Sequence, residues 1–296
     1  MPEIECIFPG ICHLGEGPLW HVGQQRLYWT DIYGRRLWVH EPASGSSRLF
    51  WQGNLQVGGF AFSRDGSFVL CTDRGVFRLG VGRDAPEAEP RLLWQVPLAK
   101  DEMFNDITTD PEGRVYAGTL DRTRPTGCLY RLERGGQPVR LLQGIGCSNG
   151  MTFSLDLQHF FHTDSLARRI TRYEYDRRTG DIRSPSVFFQ GEPPDGLPDG
   201  ITLDAEGHLW VAFWGASAVR RLDPAGQVVQ EVRFPAKQVS SVMFGGPELE
   251  DLYVTSAAED AADLSTGCDA GGVFLGGPLY RFRPGVRGRP EWPAAI

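Results

Sequence analysis

The chain has 296 residues, of which 41% are hydrophobic and 23% charged, with a formal net charge of −7 at pH 7. A nucleic-acid-binding surface needs a basic face, so this acidic balance argues against nucleic acid as a partner. No apolar run reaches the roughly 20 residues of a membrane span, and residues 1–6 lack the features of a secretory signal, so we expect a cytoplasmic protein with no membrane partner.

Six short hydrophobic segments recur along the chain and predict β-strands. They start at residues 27, 69, 115, 160, 209 and 252, so successive starts lie 42 to 49 residues apart. A period of about 40–50 residues, with several strands in each period, is typical of a β-propeller blade. We therefore predict an all-β fold in which residues 1–296 form a single six-bladed β-propeller domain.

The residues around these strands predict the rest of each blade. Polar turns of the form Asp-x-x-Gly, at 110–113 and 204–207, precede two of the strands, and glycine suits the positive φ beyond such a turn. Each strand is followed by a stretch that in most repeats alternates apolar and polar residues, as expected of an outer strand with one wet face. A closed ring leaves no unpaired edge, so we predict that residues 3–7 pair into the last blade beside 279–282. Residues 257–272 are small and polar and predict a long loop.

Mostly polar residues recur at one register, 10 or 11 residues before each of the six strands. They are Glu16, Gly58, Asn105, Asn149, Asp199 and Ser241. Each precedes a short apolar run that would be the innermost strand of its blade, so the six positions would surround the axis at one mouth of the channel. Oxygen ligands from separate repeats suit a hard divalent cation, and the pattern predicts a central metal site. The alternative is that Asn149-Gly150 and Asp199-Gly200 are turn dipeptides, which does not account for Glu16.

Other chemically notable residues have simpler interpretations. His162 lies in a predicted strand outside the ring register, and we expect it to be packed or hydrogen-bonded. Asp31, Asp73 and Asp164 end their strands at equivalent positions, where they are expected to cap turns. The six cysteines form no Cys-x-x-Cys pair, so reduced, mostly buried thiols are expected. The basic stretch 281–289 is expected to be a solvated strand and turn.

In the ring and in the segments around it, the chain resembles the regucalcin/gluconolactonase family, also called senescence marker protein. The matching segments are residues 14–20, 104–106, 110–114, 117–119, 148–150, 198–200, 244–246, 252–255 and 285–288. The resemblance implies a six-bladed propeller with a metal on its axis. It also implies hydrolysis of a small-molecule lactone, commonly a sugar lactone, to the hydroxy acid.

The resemblance implies roles for individual residues. Glu16, Asn149 and Asp199 match the family's metal ligands, and Asp199 also matches the general base. Asn105 matches a residue that contacts the substrate or the metal. One divalent ion is implied, with Ca²⁺ as the first expectation and Zn²⁺, Mn²⁺, Mg²⁺ or Fe²⁺ as alternatives. We expect a monomer or a weak homo-oligomer.

Met103 departs from the family pattern. Many sugar-lactone members carry Arg two positions before the ring Asn, where this chain has Met103. Arg would offer a rigid fork of donors to sugar hydroxyls, whereas Met offers a flexible apolar surface. We therefore expect Met103 and Arg122, from the following loop, to shape the substrate site. Two alternatives stay open, a metal-dependent esterase acting on a non-sugar ester and a non-enzymatic metal-binding propeller scaffold.

Overall fold

The structure is a computed structural model that describes residues 2–82, 85–87 and 89–296. In these residues the strands form six four-stranded antiparallel sheets arranged as the blades of a β-propeller. Strand β1 (Glu5–Phe8) comes first in the chain and belongs to the last blade. Blade 1 consists of β2 (Gly15–His21), β3 (Arg26–Asp31), β4 (Arg36–Glu41) and β5 (Ser46–Gln52). Blade 2 consists of β6 (Val57–Phe62), β7 (Phe68–Thr72), β8 (Gly75–Leu79) and β9 (Arg91–Trp94).

The remaining blades repeat this pattern of four strands. Blade 3 consists of β10 (Glu102–Thr109), β11 (Val115–Asp121), β12 (Gly127–Leu132) and β13 (Val139–Ile145). Blade 4 consists of β14 (Ser148–Phe153), β15 (His159–Asp164), β16 (Arg169–Asp176) and β17 (Asp181–Gln190). Blade 5 consists of β18 (Leu197–Leu203), β19 (Leu209–Trp214), β20 (Ala218–Leu222) and β21 (Val228–Arg233). Blade 6 consists of β22 (Val239–Gly245), β23 (Asp251–Ser256), β24 (Leu279–Phe282) and β1.

The six strands predicted from their spacing are the second strands of the six blades, and the predicted fold class is confirmed. A single turn of 3-10 helix at Pro193–Asp195 is the one helical element in the part of the chain that the structure describes. Among the same residues, no helix has the length and apolar character needed to cross a bilayer. Apolar clusters lie between neighbouring blades, and Trp210, Tyr116 and Tyr28 are fully buried there.

The ring closes where the prediction placed its closure. Strand β1 pairs with β24, matching Cys6 with Tyr280, so the first strand of the chain completes the last blade. The ring of Phe8 then packs against Trp29 and Trp38 of blade 1, with centroid distances of 5.3 and 4.9 Å. This closure supplies hydrogen-bond partners for an edge strand that would otherwise be open.

The basic stretch 281–289 ends β24 and continues into a turn whose Arg283 and Arg287 side chains are 74% and 58% exposed, as expected of a solvated strand and turn. The segment after β24 also makes contacts that the sequence did not predict. It runs along the face opposite the ring residues, because it bonds to the far ends of the innermost strands. Ala294 N donates to Phe62 O at 2.7 Å, and Ala295 N donates to Gly113 O at 2.8 Å. Arg289 Nη2 donates to Thr152 Oγ1 at 2.9 Å. The C-terminal segment therefore ties blades 2, 3 and 4 together, a role that its composition does not reveal.

The Asp-x-x-Gly turns contain a buried aspartate that organises its blade. Asp204 Oδ1 accepts hydrogen bonds from the backbone N–H groups of Glu206 and His208, both at 2.9 Å. Its Oδ2 accepts from Trp210 Nε1 at 3.0 Å and from Arg221 Nε at 2.8 Å. One carboxylate thus holds the turn and also the buried indole and guanidinium of the next two strands.

We expect Asp204→Ala to lower the free energy of unfolding by about 3 kcal/mol, because it leaves the buried indole N–H of Trp210 without its acceptor and leaves the Arg221 guanidinium with Glu206 alone. Denaturant unfolding measures the loss. Asp223→Ala is the matched control, since Asp223 accepts only two turn amides, from Ala225 and Gln227, among the described residues. Its cost is expected to stay at about 1 kcal/mol or less. Equal losses in the two variants would contradict the role assigned to Asp204.

Candidate metal centre

The ring residues all lie near the start of an innermost strand, as the sequence predicted. Glu16 is in β2, Gly58 in β6, Asn105 in β10, Asn149 in β14, Asp199 in β18 and Ser241 in β22. In each blade the pairing of the innermost and second strands shifts register at or beside the ring position. Such a bulge bends the strand and turns a side chain out of the regular alternation. The repeated irregularity therefore accompanies the point at which ring side chains turn into the channel.

The glycines after two ring residues permit close approach of neighbouring strands. A Cβ atom on Gly150 would lie 2.6 Å from Asp199 O, and one on Gly200 would lie 2.0 Å from Ser241 Oγ. Both distances are too short for a side chain, so Gly is required for packing between blades. Asn149-Gly150 and Asp199-Gly200 are within strands, which rules out the turn-dipeptide interpretation.

Four of the six ring residues line one cavity of about 370 Å³ at the mouth of the channel. These are Glu16, Asn105, Asn149 and Asp199. Ser241 instead lines a separate cavity of about 420 Å³, together with Trp20 and Trp292. The residues with a carboxylate or carboxamide are thus brought together, while the Ser position does not join them.

The two ring amides are held by a chain of hydrogen bonds. Asn105 Nδ2 donates to Asn149 Oδ1 at 3.0 Å and to Ser148 O at 2.9 Å. Asn149 Nδ2 donates to Ser165 Oγ at 3.0 Å, and Ser165 Oγ donates to Pro198 O at 2.7 Å. These contacts connect blades 3, 4 and 5 around the axis. They leave Asn149 Oδ1 with a second lone pair for another ligand.

The two ring carboxylates are buried and repel each other. Glu16 is 7% exposed and Asp199 is 4% exposed. Burial raises the pKa of Asp199 well above its ordinary value, and the charge of Glu16 raises it further. Burial likewise raises the pKa of Glu16, to which the charge of Asp106 adds. The arrangement favours a cation, which would relieve both effects.

One atom of the site lacks a partner. Asp199 Oδ1 is buried and accepts no hydrogen bond from the residues that the structure describes. Across those residues, no group of three or more His, Cys, Asp and Glu side chains is arranged to hold a metal ion. The candidate ligands are of a different composition, two carboxylates and the amide of Asn149. A buried orphan oxygen beside a second carboxylate and an amide oxygen fits a hard divalent cation.

The aspartates that end the second strands support the ring. The predicted turn capping is seen at Asp31 and Asp164, whose Oδ1 atoms accept from Gly34 N at 3.1 Å and from Ala167 N at 3.3 Å. Asp31 Oδ1 accepts from Leu14 N at 3.0 Å, and Asp73 Oδ1 accepts from Gln56 N at 2.9 Å. Asp164 Oδ1 accepts from Cys147 N at 3.1 Å. Each of these amides is two residues before a ring position. The caps therefore fix the backbone that leads into Glu16, Gly58 and Asn149.

His162 is packed, as predicted. It is 3% exposed, and its Nε2 lies 2.7 Å from Ser148 Oγ, beside ring residue Asn149. Burial lowers the pKa of His162 to about 4, so the imidazole is neutral near pH 7. Through Ser148, His162 supports the backbone of the innermost strand that carries Asn149.

Arg122 lines the cavity and Met103 lies behind it. Met103 is 4% exposed and is not among the described residues that line the cavity. Arg122 Nη2 lies 3.2 Å from Met103 Sδ and donates to Gln56 Oε1 at 3.0 Å. The guanidinium also lies over the ring of Tyr33, 4.9 Å from its centroid. At this point of the cavity wall, the side chain that a substrate would meet is therefore Arg122 and not Met103.

Sequence reasoning missed several residues of the cavity wall. Tyr33, Cys147, Trp214 and Glu259 line it, although none is in the ring register. Glu259 belongs to the loop predicted at 257–272, and its composition gave no sign that it reaches the axis. Cys147 is two residues before a ring Asn, which is a usable signal only once the ring is known.

Comparisons with known proteins agree with this architecture. A family model described as "SMP-30/Gluconolactonase/LRE-like region" matches residues 14–258. The pentonolactonase XacC of Haloferax volcanii is 36% identical over 285 residues, covering 96% of each chain. Regucalcin of Gallus gallus is 34% identical, covering 99% of this chain and 98% of its own.

Solved structures show the same likeness over the whole chain. A luciferin-regenerating enzyme superposes with a TM-score of 0.91 and 29% identity, covering 100% of both chains. A calcium-binding regucalcin from Agrobacterium tumefaciens superposes with a TM-score of 0.89 and 26% identity, covering 98% of this chain and 97% of its own.

The buried imidazole predicts a pH dependence of stability. Unfolded His takes up a proton below about pH 6.5, whereas folded His162 stays neutral down to about pH 4, so the unfolded state binds more protons in that window. His162 therefore lowers the free energy of unfolding as pH falls from about 6.5 to about 4, by at most about 3 kcal/mol.

Denaturant unfolding of the wild type and of His162→Asn over this pH range tests the expectation. The variant should show a shallower fall, because Asn does not titrate. Identical slopes would contradict a buried neutral imidazole.

Proposed function

The chain belongs to the SMP-30/gluconolactonase/LRE-like family, and we propose that it is a metal-dependent hydrolase that opens a sugar-type lactone to the hydroxy acid. The observation that carries the proposal is the pair of buried carboxylates, Glu16 and Asp199, with an orphan oxygen in one open cavity. Relatives named pentonolactonase and putative sugar lactone lactonase support the choice of substrate class.

Glu16, Asn149 and Asp199 are the residues that would hold the ion. Their oxygen donors suit Ca²⁺ first, and the name of a calcium-binding relative agrees with that preference. Zn²⁺, Mn²⁺, Mg²⁺ and Fe²⁺ are alternatives. The chemistry that such an ion supplies when bound is polarisation of a carbonyl oxygen and acidification of water.

Asp199 is proposed as the general base. With one carboxylate oxygen of Asp199 assigned to the ion, the other would take a proton from water as the water oxygen adds to the lactone carbonyl carbon. The ring C–O bond then breaks and the ring oxygen takes the proton that Asp199 received, so lactone and water give the hydroxy acid and Asp199 is ionised again.

Asn105 and Arg122 are proposed to bind the substrate. The amide nitrogen of Asn105 is held by Ser148 and Asn149, which orients its Oδ1 as an acceptor. Arg122 lines the same cavity and would offer guanidinium donors in place of the Arg that many sugar-lactone members carry at position 103. Met103 acts indirectly in this proposal, as the surface on which Arg122 lies.

A second candidate is esterase activity on a less hydroxylated ester or lactone. The cavity wall includes the apolar side chains of Leu120, Leu166, Leu197 and Trp214, which favour such a substrate. A non-enzymatic metal-binding scaffold fits less well, because a scaffold needs no open cavity beside the ligands. We also propose a cytoplasmic location, since all six cysteines are free.

Metal binding is tested without activity. We expect Ca²⁺ to raise the melting temperature of the metal-free wild type, because it neutralises two buried carboxylates. Asp199→Asn removes one of the repelling charges and should raise the melting temperature of the metal-free protein by about 2–4 °C, while abolishing the response to Ca²⁺. Glu248→Gln is the control, since Glu248 is exposed and lies away from the cavity. A full Ca²⁺ response in Asp199→Asn would contradict the assigned ligand set.

Activity is tested with a panel of lactones and aryl esters under each divalent ion. Asp199→Ala and Glu16→Ala should lower kcat/KM by about 10³-fold or more without unfolding the protein, because each removes a ligand and the first also removes the base. Asn105→Ala should cost about 10–100-fold, as expected for a positioning contact. Near wild-type turnover in either ligand variant would reject the mechanism.

A further inference from the structure

The candidate site has a polar wall that the ring does not explain. Tyr33, Arg122 and Glu259 line one cavity with the metal-site residues, and they come from three different parts of the chain. We propose that Glu259, oriented by Tyr33, is the residue that recognises the hydroxyl groups of the lactone. This inference rests on the proposed lactonase function and adds the specificity of that same site.

The position of Glu259 is defined although it lies in a long loop. Its backbone oxygen accepts from Gln238 Nε2 at 3.0 Å. The preceding residue, Ala258, donates its N–H to His13 O at 3.1 Å, and Ala257 forms a bridge with Leu14. The start of the loop is therefore tied to the strand that leads into Glu16. A carboxylate on such a backbone can act as a fixed part of the wall.

Tyr33 orients the carboxylate. Its hydroxyl donates to Glu259 Oε1 at 3.0 Å. The guanidinium of Arg122 lies over the Tyr33 ring, 4.9 Å from its centroid, and the His13 ring packs against Tyr33 in a T-shaped arrangement at a centroid distance of 5.0 Å. Burial and the charge of Glu259 raise the pKa of Tyr33 to about 12, so the hydroxyl stays a donor at neutral pH. Tyr33 is thus a positioning residue, and Glu259 is the group that meets the substrate.

Glu259 has acceptor capacity to spare. Its Oε2 accepts no hydrogen bond and joins no ion pair among the described residues, and the side chain is only half-buried within the cavity lining. A carboxylate can accept hydrogen bonds from two adjacent hydroxyl groups. Arg122, whose guanidinium lies over the Tyr33 ring and donates to Gln56, provides donors in the same cavity. Acceptor and donor are therefore displayed together, which suits a polyhydroxylated ring.

Glu259 and Arg122 together would favour hydroxylated lactones over lactones that lack hydroxyl groups. A lactone without hydroxyl groups would displace water from Glu259 without replacing its hydrogen bonds, which is costly for a charged group. Sites built to bind a hydroxyl group reject analogues that lack it more strongly than apolar pockets reject an extra group. Glu259 thus supplies the polar recognition that Met103, in place of the family Arg, does not.

The test compares two lactones of the same ring size, a pentono-1,4-lactone and γ-butyrolactone, in the Ca²⁺-loaded protein. Glu259→Leu should lower kcat/KM for the pentonolactone by about 10–100-fold, mainly through KM, and leave γ-butyrolactone unchanged or improved. Tyr33→Phe should shift the same ratio in the same direction by a smaller factor. Glu259→Gln, which keeps an acceptor oxygen, should restore part of the discrimination.

Controls separate this inference from the proposed function. Glu248→Gln removes a surface charge and should leave both substrates unaffected. Glu259→Leu and Glu259→Gln both remove a charge that acts on Glu16 and Asp199, so calorimetry is used to find the Ca²⁺ concentration that saturates each variant before rates are compared. Equal losses on both lactones, or no change on either, with an active wild type would overturn the specificity role alone. A wild type inactive on both lactones with every divalent ion would overturn the proposed function and this inference with it.

Discussion

The crowding of six innermost strands around one axis is the constraint on which the rest of the structure depends. Strands that converge this closely leave no room for ordinary side chains between them, so Gly150 and Gly200 face backbone or side-chain atoms of the next blade. The register shift at each ring position accompanies this crowding. A shifted strand directs its polar residue into the channel instead of into the sheet packing. The geometry of the blades thus decides which side chains meet.

Meeting on the axis creates an electrostatic problem. Glu16 and Asp199 are both buried, and their pKa values are raised by burial and by neighbouring acids. Contacts made by both ends of the chain hold the blades together against this repulsion. Strand β1 completes the last blade, and the C-terminal segment joins the far ends of blades 2, 3 and 4. Burying two like charges together lowers the stability of the folded protein, and such destabilising arrangements are typical of binding and catalytic sites.

The cavity combines residues that recur at the same position in several blades with residues that occur only once. The ring side and its caps repeat with the blades, since Asp31, Asp73 and Asp164 each hold the approach to a ring position. The cavity is also lined by Tyr33, Arg122 and Glu259, which lie in turns and loops and have no equivalents in the other blades' ring positions. The proposed ion ligands thus belong to the repeated part of the cavity, and the proposed substrate contacts at Arg122 and Glu259 belong to its unrepeated part.

The sequence by itself determined the blade count, the ring register and the pairing of the first strand with the last blade. These follow from periodicity, because a repeated unit places equivalent residues at equivalent points. It also identified Glu16, Asn105, Asn149 and Asp199 as residues that would share a site. Only the tertiary structure decided that Arg122 covers Met103, that Glu259 reaches Tyr33, and that the last residues bind the far face. Those contacts join single residues far apart in the chain, and no repeat or local pattern records a contact made only once.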